Sequence, residues 1–228
     1  MGKSFEPTFS NAQNAEDVVL RRVFSHIDSG FYVDVGAWHP ADDSVTKIFY
    51  DRGWSGINVE PQVERLKVFS EERPRDINLS FAVSARAGPL SIWVPRYSAL
   101  ATCCREMLDP SIPDYSEPVE QVVEAIRLDS LLLECAKDRT IHFLKIDVEG
   151  YEATVIESAS FDIHRPVVLV VEAVSPHTGE PSWHNWEPIL LSKGYLFALF
   201  DGLNRFYVRR ESSELLSELA IPANCLDG

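Results

Sequence analysis

Three charged residues punctuate the end of one apolar run, Lys145, Asp147 and Glu149 in Lys145-Ile146-Asp147-Val148-Glu149-Gly150. Alternate residues of an extended chain share a face, so these three side chains are expected on one side of a strand end. Three charges turned toward a helix-covered core would be costly. The pattern therefore points to a cleft, or to mutual pairing, and to a functional role. Two further acidic positions have a related setting. Asp34 in Asp34-Val35-Gly36-Ala37 offers an acceptor pair next to a glycine that lets backbone approach a ligand closely. Glu60 follows 26 residues later, near the spacing at which a carboxylate accepts hydrogen bonds from ribose hydroxyls. Taken alone, Asp34-x-Gly36 fits a plain turn and Glu60 a solvated strand end; their combination is what suggests a ligand. Ala82-Val83-Ser84 provides small residues that suit the border of a flat ring and serve equally well as filler. A fifth apolar run closes on Glu172, followed by Ser175, Pro176 and His177.

The elements that must hold these residues follow from periodicity. Short β-rich runs at Phe31-Gly36, Gly56-Glu60, Leu79-Val83, Ile141-Asp147, Val167-Ala173, Tyr195-Phe200 and Phe206-Arg209 alternate with amphipathic stretches, the signature of βα units building a parallel sheet. Val167 to Val171 is apolar without alternation, as expected of a strand covered on both faces. The last two runs lie too close for a crossover helix, so they form an antiparallel hairpin. Helices are expected over Ala15-His26, Val45-Asp51, Val63-Glu72, Leu128-Ala136, Tyr151-Ser158, Trp183-Ser192 and Ser213-Leu219. The first belongs to an N-terminal helical segment, residues 1–29, which precedes the sheet and is placed to close over the strand ends, with Asn14 as its cap and Asp17 in its opening turn. Between Pro95 and Glu124 there are four prolines and little periodicity, so residues 95–124 are expected to form a loop or lid at the acceptor side. All 228 residues are read as one domain.

Composition narrows the function. A formal charge of −14 and a pI near 4.8 disfavour nucleic acid as a partner. The opening residues lack a secretory pattern and no run approaches the roughly 18 apolar residues of a membrane span, so a cytoplasmic protein without membrane contact is expected. Cys103, Cys104, Cys135 and Cys225 show no CxxC or zinc spacing. A dinucleotide site would want G-x-G-x-x-G after the first strand, whereas Gly36 is followed by Ala37-Trp38-His39-Pro40.

At these positions the sequence resembles the FkbM family of methyltransferases. The likeness runs through Ala12 to Leu20, Gly30-Phe31-Tyr32-Val33-Asp34-Val35-Gly36-Ala37, Pro40, Ser44-Val45-Thr46 and Phe49-Tyr50. It continues through Gly53 to Pro61, Arg73 to Leu79, Phe143 to Gly150, Glu172-Ala173 and Phe200 to Val208. The resemblance implies a Rossmann-like class I methyltransferase fold, an α/β sheet of seven mostly parallel strands with a C-terminal antiparallel hairpin. It also implies S-adenosyl-L-methionine as methyl donor and O-methylation, often of sugars in surface polysaccharides or of secondary metabolites. Asp34, Gly36, Ala37, Glu60, Ala82, Val83 and Asp147 are then the expected cofactor contacts. Where relatives often carry a Gly-Leu-Ser-Thr-like turn, this chain reads Ser98-Ala99-Leu100-Ala101-Thr102 followed by Cys103-Cys104, so the acceptor is not carried over.

Methyl transfer to a hydroxyl calls for a general base near the acceptor. Glu149, Asp147, Glu172, His39 and His177 are the candidates, Glu149 the first choice, with Lys145 orienting the acceptor or keeping its neighbours ionised. Asn14, Asp17, His39 and His177 are the residues expected to meet a small-molecule or glycan acceptor. Asp147 and Glu172 end successive strands and suit magnesium, but the sequence displays no third ligand, and a metal is not favoured. The rivals are an NAD-dependent oxidoreductase or epimerase and a catalytically silent module that keeps the fold. The sequence does not specify oligomeric state.

Overall fold

The computed structural model describes residues 9–95, 101–108, 117–175 and 178–227. Its main sheet uses β1 (Phe31–Val35), β2 (Ser55–Val59), β3 (Ile77–Leu79), β7 (Phe143–Ile146), β8 (Val168–Glu172), β9 (Tyr195–Phe200) and β10 (Asn204–Arg209). The strand order is β3-β2-β1-β7-β8-β10-β9. The pairs from β3 to β8 are parallel, while β10 runs antiparallel to both β8 and β9. The expected seven-stranded, mostly parallel α/β sheet with its terminal hairpin is therefore present.

Period two divides the strands between two cores. Phe31, Val33, Val35, Leu144, Ile146, Leu169 and Val171 face α4 (Leu128–Cys135), α5 (Glu152–Glu157) and α6 (Glu187–Ser192). Tyr32, Phe143, Val168, Val170, Phe206 and Val208 pack with α1 (Glu16–Val23), α2 (Lys47–Asp51) and α7 (Leu216–Leu219). Strands β1, β7 and β8 are buried throughout, which is why they carry no polar alternation. Among the described residues no helix is long and apolar enough to cross a membrane.

Three expectations need correction. The run Leu79-Val83 is not one strand: β3 ends at Leu79 in the main sheet, and β4 (Ala82–Val83) starts a second sheet of order β4-β6-β5. Its other members are β5 (Gly88–Val94) and β6 (Val119–Ile126). Residues 95–124 are thus not wholly a lid, because 119–124 belong to the central strand of this sheet. That strand has a single buried side chain, Ala125. Backbone ladders to β4 and β5 hold it, so no apolar face advertises it in the sequence. Residues 96–100 and 109–116 of the expected lid lie outside the described residues. At the amino end, α1 begins after Ala15, whose φ of 62° places it in the left-handed region, and Asn14 does not cap the helix. Between β2 and β3 lies α3 (Val63–Glu72).

Candidate active site

The chain leaves β1 outward through β2 and β3, then returns to β7 on the other side of β1. Strand order reverses there, and ligands of open α/β sheets bind beyond the strand carboxyl ends at such a point. A cleft of about 950 Å³, counting its open mouth, occupies that position. Gly36, Glu60, Pro61 and Gln62 line it from the ends of β1 and β2, and Lys145, Asp147, Val148, Glu149 and Tyr151 from beyond β7. The second sheet adds an apolar wall of Ala82, Val83 and Ile92 beside Phe81. Ala101 and Cys103 also reach the cleft, so part of the expected acceptor segment does lie at the site.

Glu60 is folded back against its own chain. Its Oε1 accepts the Gln62 N–H at 2.9 Å and its Oε2 the Trp38 N–H at 3.3 Å, leaving lone pairs for a ligand. Burial raises its pKa, against the Gln62 N–H and the Arg65 guanidinium. Arg65 stacks 3.1 Å above the Trp38 ring centroid. The Gly36 and Ala37 N–H groups both donate to Val59 O, at 3.0 and 3.2 Å, and α2 starts only at Lys47. The amides that would cradle a pyrophosphate at a helix start are engaged in joining β1 to β2.

Behind the cleft a row of polar side chains, buried except for the half-buried Asn78, crosses the sheet. Registry aligns Asn78 with Asn58, Asn58 with Asp34, and Asp34 with Lys145. Lys145 Nζ lies 3.2 Å from Asp147 Oδ2 and 3.6 Å from Asp34 Oδ1, and donates to Gly36 O at 3.2 Å. Burial pushes its pKa down, but Asp147 and Asp34 outweigh burial and hold it above the ordinary lysine value. Asp34 is 1% exposed and does not line the cleft. It acts on the site through Lys145 rather than offering an acceptor pair to a ligand. Burial lifts its pKa, opposed by Lys145 and Arg73. Asp76 closes the row, accepting from Tyr32 Oη at 2.6 Å, Gly56 N–H at 2.8 Å and Asn58 Nδ2 at 2.9 Å.

Arg73, 1% exposed, anchors the loop between β1 and α2. It donates to Thr46 Oγ1 at 2.6 Å, to Ser44 Oγ at 2.8 Å and to Pro40 O, and Thr46 in turn donates to Asp34 at 3.3 Å. Arg73→Met leaves these acceptors without their donor. We expect a loss of about 1–3 kcal/mol, read as a lower urea midpoint at unchanged slope. A change under about 0.5 kcal/mol would mean that the loop does not depend on this arginine.

The carboxylates beyond β7 converge by a turn, not along a strand as period two suggested, because β7 stops at Ile146. Glu149 and Gly150 both have positive φ, 54° and 92°. Glu152 Oε1 accepts the Val148 and Gly150 N–H groups, each at 3.1 Å, and so caps the turn. Thr102 Oγ1 donates to Glu149 O at 2.7 Å. One carboxylate oxygen from each of Asp147, Glu149 and Glu172 lies within 4.8 Å of the others, so the third acidic partner that the sequence did not display is Glu149. Burial, then Asp147 and Glu152, raises the Glu149 pKa to about 8. Burial, helped by Asp147, outweighs the Glu152, Val148 and Gly150 N–H groups and sets Glu152 at about 7. Glu172 is raised well above the carboxylate range by burial, Asp147 and Glu149.

The remaining expected residues sit elsewhere. Ala37 is packed in the core. Asp17 is fully buried and accepts from Ser10 Oγ at 2.6 Å, Asn11 N–H at 2.8 Å and Val18 N–H at 2.9 Å, which fixes the segment before α1 rather than presenting a group to an acceptor. Asn14 Nδ2 donates to Asp201 O at 3.1 Å. His39 Nδ1 accepts the Asp42 and Ala41 N–H groups at 3.0 and 3.3 Å and does not line the cleft. His177 lies outside the described residues. Glu152 was not singled out from the sequence, and Arg73, Thr46, Asn58, Asp76, Glu16 and Asn204, though inside the stretches that resemble the family, were assigned no role there. Glu16, on α1, accepts from Asn204 Nδ2 at 2.6 Å, and Asn204 pairs with Glu172 in the ladder.

A family model described as the methyltransferase FkbM domain matches residues 34–197. No curated protein matches the chain significantly. Among solved structures, the small RNA methyltransferase HEN1 is similar at 14% identity and a TM-score of 0.39, over 93% of this chain and 28% of that one. The chain thus spans less than a third of that protein.

Proposed function

Because the chain belongs to the FkbM methyltransferase family, we propose that it moves a methyl group from S-adenosylmethionine to a hydroxyl oxygen of a glycan or a small secondary metabolite. The observation that carries the cofactor is the cleft at the strand-order reversal. It holds a carboxylate with spare lone pairs, Glu60, and apolar walls, while the amides that would grip a pyrophosphate are tied to Val59. This donor set fits a nucleoside that carries no phosphates. A net charge of −14 supports an acceptor that is not a polyanion.

S-adenosylmethionine, when bound, supplies a methyl group on a positively charged sulfur that an oxygen nucleophile can take in line. Glu60 binds hydroxyls through its free lone pairs. Phe81, Ala82, Val83 and Ile92 exclude water from the inner wall. Lys145 is a positioning residue, fixing Asp147 and the Gly36 carbonyl. A hydroxyl is a weak nucleophile while protonated. Glu149 lines the cleft and its Oε2 has no partner, which makes it the group to receive that proton.

Calorimetric titration of metal-free protein with S-adenosylhomocysteine tests the reading, with NAD in parallel. Micromolar binding of the homocysteine nucleoside, weakened at least tenfold (about 1.4 kcal/mol) by Glu60→Ala, is the expected result. No binding, or binding of NAD instead, overturns it.

A further inference from the structure

We propose that Asp147, Glu149 and Glu172 form a site for one hard divalent cation beside the cleft, which Asp147 and Glu149 line. Three oxygens, one from each residue, lie within 4.8 Å of one another. Oxygens sharing one ion at about 2.1–2.4 Å are separated by at most about 4.2–4.8 Å, so the three can meet around a single cation with little rearrangement. All are carboxylates, the ligand type of magnesium, manganese and calcium rather than of thiophilic or imidazole-seeking metals.

A second observation is independent of the clustering. Glu172 is only 8% exposed, and its Oε2 has no hydrogen-bond partner; Glu149 Oε2 is also buried without one. A buried, unpaired carboxylate is costly, and the neighbouring donors are already committed. Lys145 turns to Asp34, Asp147 and Gly36 O. The Val148 and Gly150 N–H groups go to Glu152. Asn204, next to Glu172 in the sheet, gives its amide to Glu16. A divalent ion satisfies both orphaned oxygens at once, and three protein ligands leave positions for water and one acceptor oxygen. That catalytic consequence, a hydroxyl held and acidified by the ion, rests on the methyl-transfer reading and turns Glu149 from proton acceptor into ligand, the hydroxyl proton then passing to water; the cation site itself does not rest on that reading.

The test uses the full chain stripped of metal with chelator. Manganese chloride is titrated in, and free Mn²⁺ is read by its electron paramagnetic resonance signal, with heat followed in parallel. One ion per chain is expected, with a dissociation constant no weaker than about 1 mM, displaced by Mg²⁺. Glu172→Gln should weaken binding at least tenfold while its circular dichroism stays that of the parent. If that variant does not fold, Glu149→Gln makes the same test. Absence of saturable binding, or affinity unchanged by the substitution, overturns the site. S-adenosylhomocysteine is titrated into the same metal-free sample. Nucleoside binding without Mn²⁺ binding removes the cation site alone, and Mn²⁺ binding without the nucleoside removes the methyl-transfer reading alone.

Discussion

Lys145→Met is expected to lower stability by about 3–5 kcal/mol, the cost of leaving a buried ion-pair partner alone, or roughly 6–20 °C in Tm for a chain of this size. The side chain is nearly isosteric, so little of the loss comes from packing. Asp34 is left beside a methyl group, and Asp147 loses the contact that holds it toward β1. The deficit also depends on pH in a fixed direction. Burial already lifts the Asp34 carboxyl above its ordinary value, with Lys145 the first of the opposing effects; removing Lys145 lifts it further. A carboxyl whose folded pKa exceeds its unfolded pKa loses no stability while it is protonated in both states. The deficit of the variant is therefore smallest in acid, grows only once pH passes the already raised Asp34 value of the parent, and levels off above the still higher value of the variant. Urea melts of parent and variant at several pH values measure it. A deficit flat across pH would place the cost in packing instead of charge.

Gly36→Ala is expected to be comparably damaging for a different reason. A Cβ at Gly36 would stand 1.7 Å from the Asp147 carbonyl oxygen, and φ there is +81°. Left-handed backbone costs an alanine about 1–2 kcal/mol, and forcing β1 and β7 apart adds about 1–3 kcal/mol. Gly53 supplies the control, since its φ is +94° but nothing lies within 4 Å of an added Cβ. Gly53→Ala should lose only the backbone contribution. Equal urea midpoints for the two variants would show that the approach of Gly36 to Asp147 is not tight. Because Asp147 is the group displaced, Gly36→Ala should also weaken Mn²⁺ binding, which Gly53→Ala should leave alone.

The sheet was legible because its strands are apolar and its hairpin connection is short. The cofactor cleft was legible because Gly36, Glu60, Lys145, Asp147 and Glu149 sit at strand ends, where chemistry gathers in this architecture. Strand β6 was hidden because it buries one small side chain and is held by backbone bonds. Arg73 and Asp76 lie in a turn rich in charge, where a solvated reading is the ordinary one, and only tertiary contacts with Pro40, Thr46 and Tyr32 bury them. A signal did exist for Asp34, Asn58 and Lys145: each is the polar member of an otherwise apolar strand, and equal offsets from the strand ends put them side by side. Asp17 misled because a carboxylate in a first helical turn looks like a surface group, whereas here three donors surround it.

The row Asn78–Asn58–Asp34–Lys145 also acts as an index for assembly. Strands β1, β2 and β7 are apolar on both faces, so sliding one against another by two residues would keep every side chain on its original face and lose little burial. What such a slip destroys is the alignment of the polar members, Asp34 meeting Gly56 or Glu60 in place of Asn58, and Phe143 or Asp147 in place of Lys145. The polar crossbar thus makes one strand registry far better than its near copies.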